Sequence, residues 1–462
     1  MNILLINICL RKEPPIKLFP IGLGYIATAI KNAGFVFDLL DIDAHRYTDE
    51  QIESLIRKKK YDVVCMGCVV TGYKIVKTLA SVVKKHHPHS KIIVGNSVAT
   101  SIVGTLLTKT NADIAVLGEG DETIVDLLKA LSGSKPVDEV KGICFIKDGK
   151  LTYTGARPVI KDISSLPFID HSLFATEIYI ESSRNRVNEP LPIPRNEIRP
   201  LHVSTARGCI AKCTFCYHNF QGTPFRFRSA ESIIAEIKYL IKTYSLNYIF
   251  FWDDLTFASK KSVLEFSQKV IDEEMRFFWI ANCMANLFQE DGDIFILKKA
   301  KEAGCVGLVY ALESADPAIL RDMNKNITVE QFSRQSSLIK RLGIPIWTSV
   351  VFGYPRETPE TIKRTFDVCI ENEVFPSTGY LQPYPGSKIY DYAVKNGFIP
   401  NEEEYLLNLG DRQDLRLNMT SMSDEDYKFH ILEGLKRCNE KLNVGLNVDN
   451  LIKTQYFRAK GK

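Results

Sequence analysis

The sequence lacks several features that would each place it in a distinct class of proteins. No uncharged apolar run approaches the ~18 residues that a membrane-spanning helix needs, and no repeat or low-complexity tract is present. Charge of one sign is not in excess, because 59 Lys+Arg oppose 55 Asp+Glu and leave a net charge of +4. This balance does not indicate a nucleic acid as the main partner. With 27 Gly and 20 Pro in 462 residues, the composition is that of a globular chain.

We also expect no export signal, since residues 1–6 have neither a basic region nor a small-residue cleavage site. We therefore expect a cytoplasmic protein, in a compartment where disulfides are rare. Closely spaced members of its 11 cysteines are then expected to bind metal or to act in redox chemistry. The length indicates two or three domains.

The first third of the chain alternates short apolar runs with amphipathic stretches. Apolar runs predict strands at residues 3–7, 35–42, 63–70, 91–95 and 112–118, and helical spacing predicts helices at 21–33, 49–59, 73–86 and 122–131. Continuous apolar strands separated by helices indicate a parallel sheet that is covered on both faces. We predict a doubly wound, Rossmann-like domain over residues 1–135, with a ligand beyond the carboxyl ends of its strands.

The remainder divides into a connection, a second α/β domain and a tail. Residues 136–200 are predicted to be a linker with a hairpin around Asp148-Gly149 and a proline-punctuated stretch at 189–194. Six predicted strand–helix units over residues 201–397 indicate a partial (β/α)6 TIM-like barrel, shorter than the ~250 residues of a full one. Residues 398–462 are predicted to be a helical region, whose basic end at 458–462 is expected to be a solvated terminus.

The strongest chemical signal is a group of three cysteines just after the first predicted barrel strand. Cys209, Cys213 and Cys216 are separated by three and two residues and lie at the mouth where barrel enzymes place their sites. A four-iron cube normally takes four thiolates, so three would leave one iron open for a small ligand. A zinc site, for which His218 gives little support, and three packing thiols are the alternatives.

The cysteine motif, including Phe215 before the third cysteine, resembles the hallmark of the radical S-adenosylmethionine (radical SAM) superfamily. Four further segments resemble that superfamily's motifs in the same order, at residues 251–254, 311–314, 352–358 and 383–387. The resemblance implies a [4Fe-4S] cluster on the three cysteines and S-adenosylmethionine (SAM) beside it. The residues that it implies for SAM binding are Phe215, Tyr217, Trp252, Asp253, Asp254, Glu313, Gly353 and Tyr354.

Two of these positions allow other interpretations. In the first interpretation, Asp253 and Asp254 form an acid/base pair, although adjacent residues of a strand point apart. Glu313 ends an apolar strand and needs a polar partner if it is buried. That partner is either a ligand hydroxyl or amine, or a neighbouring Lys or Arg.

The amino-terminal part resembles the cobalamin-binding domain that is fused to one branch of the superfamily. Residues 20–25 have the form of that branch's first helix start, and three later loops fall where its loops face the corrin. The residues implied for cobalamin binding are Gly22, Leu23, Cys68, Thr71, Gly95, Asn96, Ser97, Gly118, Glu119 and Gly120. Asn96 departs from a common second Gly, and Asp121 departs from a common Glu.

Cobalamin is expected to bind without a histidine below the cobalt. The segment Asp43-Ala44-His45 is similar to an Asp-x-His-x-x-Gly motif, but Thr48 stands where the Gly belongs. It also follows the second predicted strand, whereas the motif belongs after the first. We therefore expect His45 to be a solvated loop residue.

The resemblance implies an enzyme that reductively cleaves SAM to a 5′-deoxyadenosyl radical and, with cobalamin, methylates an unactivated carbon of a small-molecule or biosynthetic intermediate. It also implies a flavodoxin- or ferredoxin-type electron donor. The alternatives are a cobalamin-dependent cyclisation or rearrangement, a radical SAM enzyme that has lost cobalamin, and a non-catalytic iron–sulfur sensor. We expect no nucleic acid partner and no membrane span.

Overall fold

The computed structural model describes residues 1–11, 16–447 and 451–452, and the basic end at 458–462 lies outside the described residues. Two large sheets carry the fold, one of seven strands and one of six. Within the described residues, no helix is long and apolar enough to cross a membrane.

The first sheet has the strand order β2-β1-β3-β4-β5-β6-β7, in which the first five strands are parallel. Its strands are β1 (Ile3–Asn7), β2 (Phe37–Asp41), β3 (Val63–Gly67), β4 (Lys91–Gly95), β5 (Ile114–Val116), β6 (Ile143–Lys147) and β7 (Lys150–Tyr153). Its helices are α1 (Ile21–Asn32), α2 (Ile42–His45), α3 (Asp49–Arg57), α4 (Tyr73–His86), α5 (Ser97–Ser101), α6 (Val103–Lys109) and α7 (Asp121–Leu131). This arrangement confirms the predicted Rossmann-like domain.

The hairpin that was expected in the linker extends this sheet. Strand β6 pairs antiparallel with β5, placing Ile143 opposite Val116, and β7 pairs with β6. Ile143 and Cys144 are buried, whereas the distal part of the hairpin is exposed. The hairpin is therefore part of the first sheet, and the exact domain bounds stay a prediction.

The second sheet contains six parallel strands in the order β8-β11-β12-β13-β14-β15, which confirms the partial barrel. Counting a two-stranded ribbon formed by β9 and β10, the strands are β8 (Pro200–Val203), β9 (Ala206–Arg207), β10 (Arg226–Phe227), β11 (Tyr248–Phe251), β12 (Phe278–Asn282), β13 (Cys305–Val309), β14 (Ile346–Phe352) and β15 (Pro376–Tyr380). The helices from the connection to the tail are α8 (Thr176–Arg184), α9 (Ala230–Tyr244), α10 (Lys260–Asp272), α11 (Ile294–Glu302), α12 (Pro317–Asp322), α13 (Val329–Lys340), α14 (Pro359–Glu371), α15 (Lys388–Lys395), α16 (Glu402–Asn408) and α17 (Asp424–Lys441).

The connection before the barrel fills part of the barrel's interior. Alternate residues of a strand face opposite sides: Ile249 and Phe251 of β11 belong to the core shared with the surrounding helices, whereas Phe250 faces inward. Val187 and Ile198 of the connection are fully buried in the inward cluster that contains Phe250. Residues 187–198 therefore form a plug inside the barrel.

The tail confirms the predicted helical region and contacts both domains. Glu403 of α16 accepts hydrogen bonds from the Tyr73 hydroxyl at 3.2 Å and from Lys77 Nζ at 2.5 Å, both on α4 of the first domain. Helix α17 packs on α14 of the barrel so closely that a Cβ on Gly434 would lie 2.0 Å from the Phe366 ring. The tail thus binds the first domain to the second.

Candidate functional site

The loop that carries the three cysteines leaves β9 and is held in place by the segment that follows α12. The Thr214 amide donates to the Met323 carbonyl at 2.9 Å, and Asn324 Nδ2 donates to the Lys212 carbonyl at 2.8 Å. Because the backbone at both Lys212 and Thr214 is fixed in this way, Cys213 is held between two anchored residues.

The three cysteines line one cavity of about 590 Å³ at the carboxyl ends of the barrel strands, which we call the cysteine cavity. Phe215, Asp254, Glu313 and Lys325 also line it. Among the described residues, no three His, Cys, Asp or Glu side chains are placed to hold one metal ion. In an iron–sulfur cube each thiolate binds a different iron, so the thiols need not converge.

The electrostatic surroundings of the thiols are mixed. Burial raises the pKa of Cys209 and of Cys213, and the positive charge of Lys325 opposes both shifts. Metal ligation requires the thiolate form, so a nearby cation favours it. The donor set therefore fits an iron–sulfur cluster with one iron left open.

Glu313 has a strained backbone and a buried carboxylate at the edge of this cavity. Its φ of 64° lies in the left-handed region that favours glycine, and it is 7% exposed. Its backbone is fixed to β14, because its amide donates to the Ser349 carbonyl at 3.0 Å and its carbonyl accepts from the Val351 amide at 3.1 Å. Lys325 Nζ lies 3.6 Å from Oε1, too far for a direct hydrogen bond. Lys325 is therefore the neighbouring cation that the sequence allowed for, and the Glu313 carboxylate can still accept a hydrogen bond from a ligand.

The two adjacent aspartates have different surroundings and do not form an acid/base pair. Asp253 accepts hydrogen bonds from the Thr205 amide at 3.0 Å, from Thr205 Oγ1 at 2.5 Å and from Ser204 Oγ at 3.0 Å. Burial raises the pKa of Asp253 to about 6. Asp254 lines the cysteine cavity, 3.6 Å from His218 Nδ1, and burial raises its pKa as well. Asp253 thus fixes the neighbouring loop, and Asp254 is available to a ligand.

The structure brings only some of the predicted SAM residues to the cysteine cavity. Phe215, Asp254 and Glu313 line it, whereas the following do not: Tyr217, Trp252, Asp253, Gly353 and Tyr354. Trp252 is half exposed and lies under the Arg186 guanidinium at 4.6 Å. The Tyr354 hydroxyl lies 2.8 Å from Thr214 Oγ1 and so supports the cysteine loop. Sequence reasoning missed Lys325, which has no motif around it.

A second cavity, of about 310 Å³, lies between the two domains at the carboxyl ends of the first sheet's strands, and we call it the interdomain cavity. Seven predicted cobalamin residues line it: Gly22, Leu23, Gly95, Asn96, Gly118, Glu119 and Gly120. Cys68, Thr71 and Ser97 do not. Ser97 Oγ instead accepts from the Val70 amide at 2.8 Å, and Cys68 is buried against Gly72.

The interdomain cavity has the surface that a flat macrocycle requires. A Cβ built on Gly22, Gly95 or Gly118 would meet nothing within 4 Å, so backbone rather than side chain forms these parts of the wall. Apolar side chains, among them Met66 and Val116, line the cavity as well. The residues present therefore fit a corrin ring.

The barrel supplies part of this cavity, which the sequence did not reveal. Ser204, Ala206, Arg207, Asn219 and Phe220 line it from the barrel side. They surround the cysteine loop in sequence, so one segment of chain lines both cavities. No local pattern predicts such contacts, because they arise only when the domains pack together.

A buried network of four charges closes one side of the interdomain cavity. Arg207 donates two parallel hydrogen bonds of 2.9 Å to the Asp121 carboxylate and one of 2.7 Å to Glu119 Oε1. Arg226 Nη1 donates to both Glu119 oxygens, at 2.9 and 3.0 Å. The side chains of all four residues are at most 11% exposed. Glu119 and Asp121 therefore join the first domain to the barrel.

His45 lies outside the residues that line the interdomain cavity, and its ring stacks on Tyr47 with 5.3 Å between centroids. His45 is exposed, as expected, but it is the last residue of α2 rather than a loop residue. The absence of a histidine below the cobalt stays a prediction.

Two family models match the chain in succession. The first describes a B12 binding domain and matches residues 10–128, and the second describes the Radical SAM superfamily and matches residues 203–369. The chain is a B12-binding radical SAM enzyme. The resemblance seen in the motifs is thereby confirmed for both domains.

Among its relatives, this radical SAM enzyme is 26% identical to an uncharacterised methyltransferase of Pyrococcus horikoshii, over 82% of this chain and 79% of that protein. It is 25% identical to the anaerobic magnesium-protoporphyrin IX monomethyl ester cyclase of Rubrivivax gelatinosus, over 80% of this chain and 65% of the cyclase. The solved structure of the radical SAM methyltransferase TsrM from Kitasatospora setae, with cobalamin and a [4Fe-4S] cluster bound, superposes with a TM-score of 0.67. That match has 17% identity and covers 86% of this chain and 78% of TsrM, and it shows a shared fold.

Proposed function

We propose that this enzyme transfers a methyl group to an unactivated carbon of a small-molecule substrate or biosynthetic intermediate, with SAM and cobalamin as cofactors. The observation that carries the proposal is that one segment, residues 207–220, lines both the cysteine cavity and the interdomain cavity. When bound, the cluster would supply the electron that splits SAM to a 5′-deoxyadenosyl radical, and cobalamin would carry the methyl group. A flavodoxin- or ferredoxin-type protein would reduce the enzyme.

In the cysteine cavity, we assign Cys209, Cys213 and Cys216 as the cluster ligands. Asp254 and Glu313 offer carboxylates for the hydroxyl or ammonium groups of SAM, which carry hydrogen-bond donors. Phe215 offers an apolar surface in the same cavity.

In the interdomain cavity, the backbone at Gly22, Gly95 and Gly118 would lie against the corrin. The network of Arg207, Arg226, Glu119 and Asp121 fixes the distance between this wall and the cysteine loop. We expect the cobalt to have no histidine below it, because His45 stands apart.

The chain would also keep water from the reaction. The plug of residues 187–198 covers part of the inner face of the barrel with apolar side chains. Exclusion of water prevents side reactions of a reactive intermediate, so the covered inner face and a substrate seated at the mouth would protect a carbon radical. The cavity walls at the mouth would set the choice of substrate.

A radical cyclisation is the second candidate, because one relative is named a cyclase. Methyl transfer from SAM releases S-adenosylhomocysteine, whereas cyclisation does not require it. The ratio of S-adenosylhomocysteine to 5′-deoxyadenosine therefore separates the two reactions.

The test is an anaerobic assay of cluster-reconstituted protein with SAM, hydroxocobalamin and a reductant. Alanine at Cys209, Cys213 or Cys216 should abolish release of 5′-deoxyadenosine and lower the iron content. Cys144→Ala is the matched control, since Cys144 is a buried cysteine of β6. Full 5′-deoxyadenosine release by any of the three variants would contradict the cluster assignment. Protein that retains the cluster but binds no corrin would contradict the role of cobalamin.

A further inference from the structure

Asn219 joins the barrel to the first domain at the rim of the interdomain cavity, three residues after Cys216. Its Nδ2 donates a hydrogen bond of 2.8 Å to Oδ1 of Asn96. That Oδ1 also accepts from the Ser97 amide at 2.6 Å, so it must be the acceptor in both contacts. The amide group of Asn219 is therefore oriented, with its NH2 towards Asn96 and its oxygen turned away.

The oxygen of Asn219 is buried and has no hydrogen-bond partner among the described residues. A buried acceptor without a donor costs free energy, so such an atom indicates a missing partner. Asn219 also lines a third cavity of about 390 Å³, beside the hairpin, which we call the hairpin cavity. The interdomain and hairpin cavities meet at Gly118, Glu119, Asn219 and Phe220.

The side-chain acceptors of Glu119 at this shared rim and of Asn96 beside it are already engaged. Both oxygens of Glu119 accept from Arg226, and they also accept from Arg207 Nη1 and from the Ile160 amide at 2.7 Å. Asn96 Oδ1 receives two hydrogen bonds of its own. Asn219 Oδ1 is therefore the side-chain acceptor at this rim that lacks a donor among the described residues.

We propose that Asn219 is a corrin-binding residue supplied by the barrel, and that its Oδ1 accepts a hydrogen bond from a primary amide at the corrin's edge. The corrin periphery carries such amide side chains, and one of them would extend through the shared rim into the hairpin cavity. This inference rests on the proposed binding of cobalamin in the interdomain cavity. It makes the chain just after the cysteine loop a direct contact of the second cofactor.

The test compares two corrins that differ at the periphery. Cobinamide keeps the primary amides, whereas cobyrinic acid has carboxylates in their place, which cannot donate. Dissociation constants for both are measured by absorbance titration of the full-length, cluster-reconstituted protein. We expect Asn219→Ala to weaken cobinamide binding about 10-fold more than cobyrinic acid binding, as for the loss of one hydrogen bond.

Two further variants separate this contact from the bridge between the domains. Asn96→Gly breaks the same bridge from the other side, and glycine accepts the φ of 69° found there. It should affect both corrins equally. Asn219→Asp keeps an acceptor oxygen and should therefore keep the preference for cobinamide. The iron and sulfide content of each variant verifies that it still holds its cluster.

Equal loss of both corrins in Asn219→Ala, or no loss of either, would overturn the role of Asn219 while leaving cobalamin binding intact. Failure of the unmodified protein to bind any corrin would instead overturn the proposed function. The two failures are therefore distinguishable in one titration series.

Discussion

The buried pair between Asp121 and Arg207 predicts a large, local effect of removing one charge. Asp121→Asn keeps the size of the side chain and one oxygen acceptor, but places an NH2 group against the guanidinium. One of the two parallel 2.9 Å hydrogen bonds is lost, while Glu119 continues to neutralise Arg207 at 2.7 Å. The change therefore removes one charge-assisted bond from a buried site.

The size of the effect follows from this geometry. A hydrogen bond to a charged group contributes about 1.5–3 kcal/mol, and loss of a whole buried ion pair costs about 3–5 kcal/mol. Because Glu119 remains, we expect a loss of about 2–3 kcal/mol in the free energy that keeps the two domains docked. At 1.4 kcal/mol for each factor of ten, local opening becomes about 30- to 150-fold more frequent.

Hydrogen exchange followed by mass spectrometry measures this opening directly, and it does not assume that a multidomain chain unfolds in one step. Peptides that contain residues 118–124 and 205–210 should exchange faster in Asp121→Asn. Asp126→Asn is the matched control on the same helix, because Asp126 pairs with Arg157 at 2.5 Å but is 34% exposed. We expect an effect of at most about 1 kcal/mol there. Equal rates in the two variants would refute the reasoning.

Three further outcomes are expected. Glu313→Gln should weaken SAM binding about 10-fold, as for one charge-assisted hydrogen bond, with the iron content unchanged; unaltered SAM affinity in a titration would count against its role. Burial raises the pKa of Glu357 from 4.5 to about 7, so the folded protein keeps a proton that the unfolded chain releases. This carboxyl should therefore lower the stability as the pH rises from about 4.5 to 7, by up to about 3 kcal/mol. Asp253 contributes in the same direction, so Glu357→Gln should reduce the fall in unfolding temperature with pH, and an unchanged fall would reject the prediction. His45→Ala should leave the corrin absorbance titration unchanged, because its ring stacks on Tyr47 away from the interdomain cavity, and a shifted corrin spectrum would show the opposite.

Sequence reasoning predicted the two α/β domains because each signal was local. The apolar runs that became β1 and β4 and the periodic stretches that became α4 and α7 each carry their pattern within a short segment. The three cysteines were equally visible, because their spacing is short. The hairpin around Asp148-Gly149 was predicted, but its attachment to the first sheet was not, since the pairing with β5 depends on a partner outside the local pattern.

The candidate site was only partly predictable for the same reason. Phe215, Asp254 and Glu313 follow barrel strands, so their approach to the cysteines could be expected from topology. Lys325 and Asn219 belong to loops whose direction depends on tertiary packing. Asp253 was expected to contact SAM, but a serine, a threonine hydroxyl and a backbone amide take up its carboxylate instead. The position of Asp253 in the motif does not show whether its carboxylate faces a ligand or is hydrogen-bonded within the protein.

The plug at residues 187–198 has a consequence for how the protein can be divided. Its apolar residues cover Phe250 and Ile280 on the inner face of the barrel, although in sequence they precede the first barrel strand. A fragment that begins at Pro200 would expose this inner face to water and should aggregate. The predicted domain boundary is therefore not a suitable place to divide the chain. A recombinant barrel should retain the chain from α8 onward, whether it is studied alone or fused to a different amino-terminal domain.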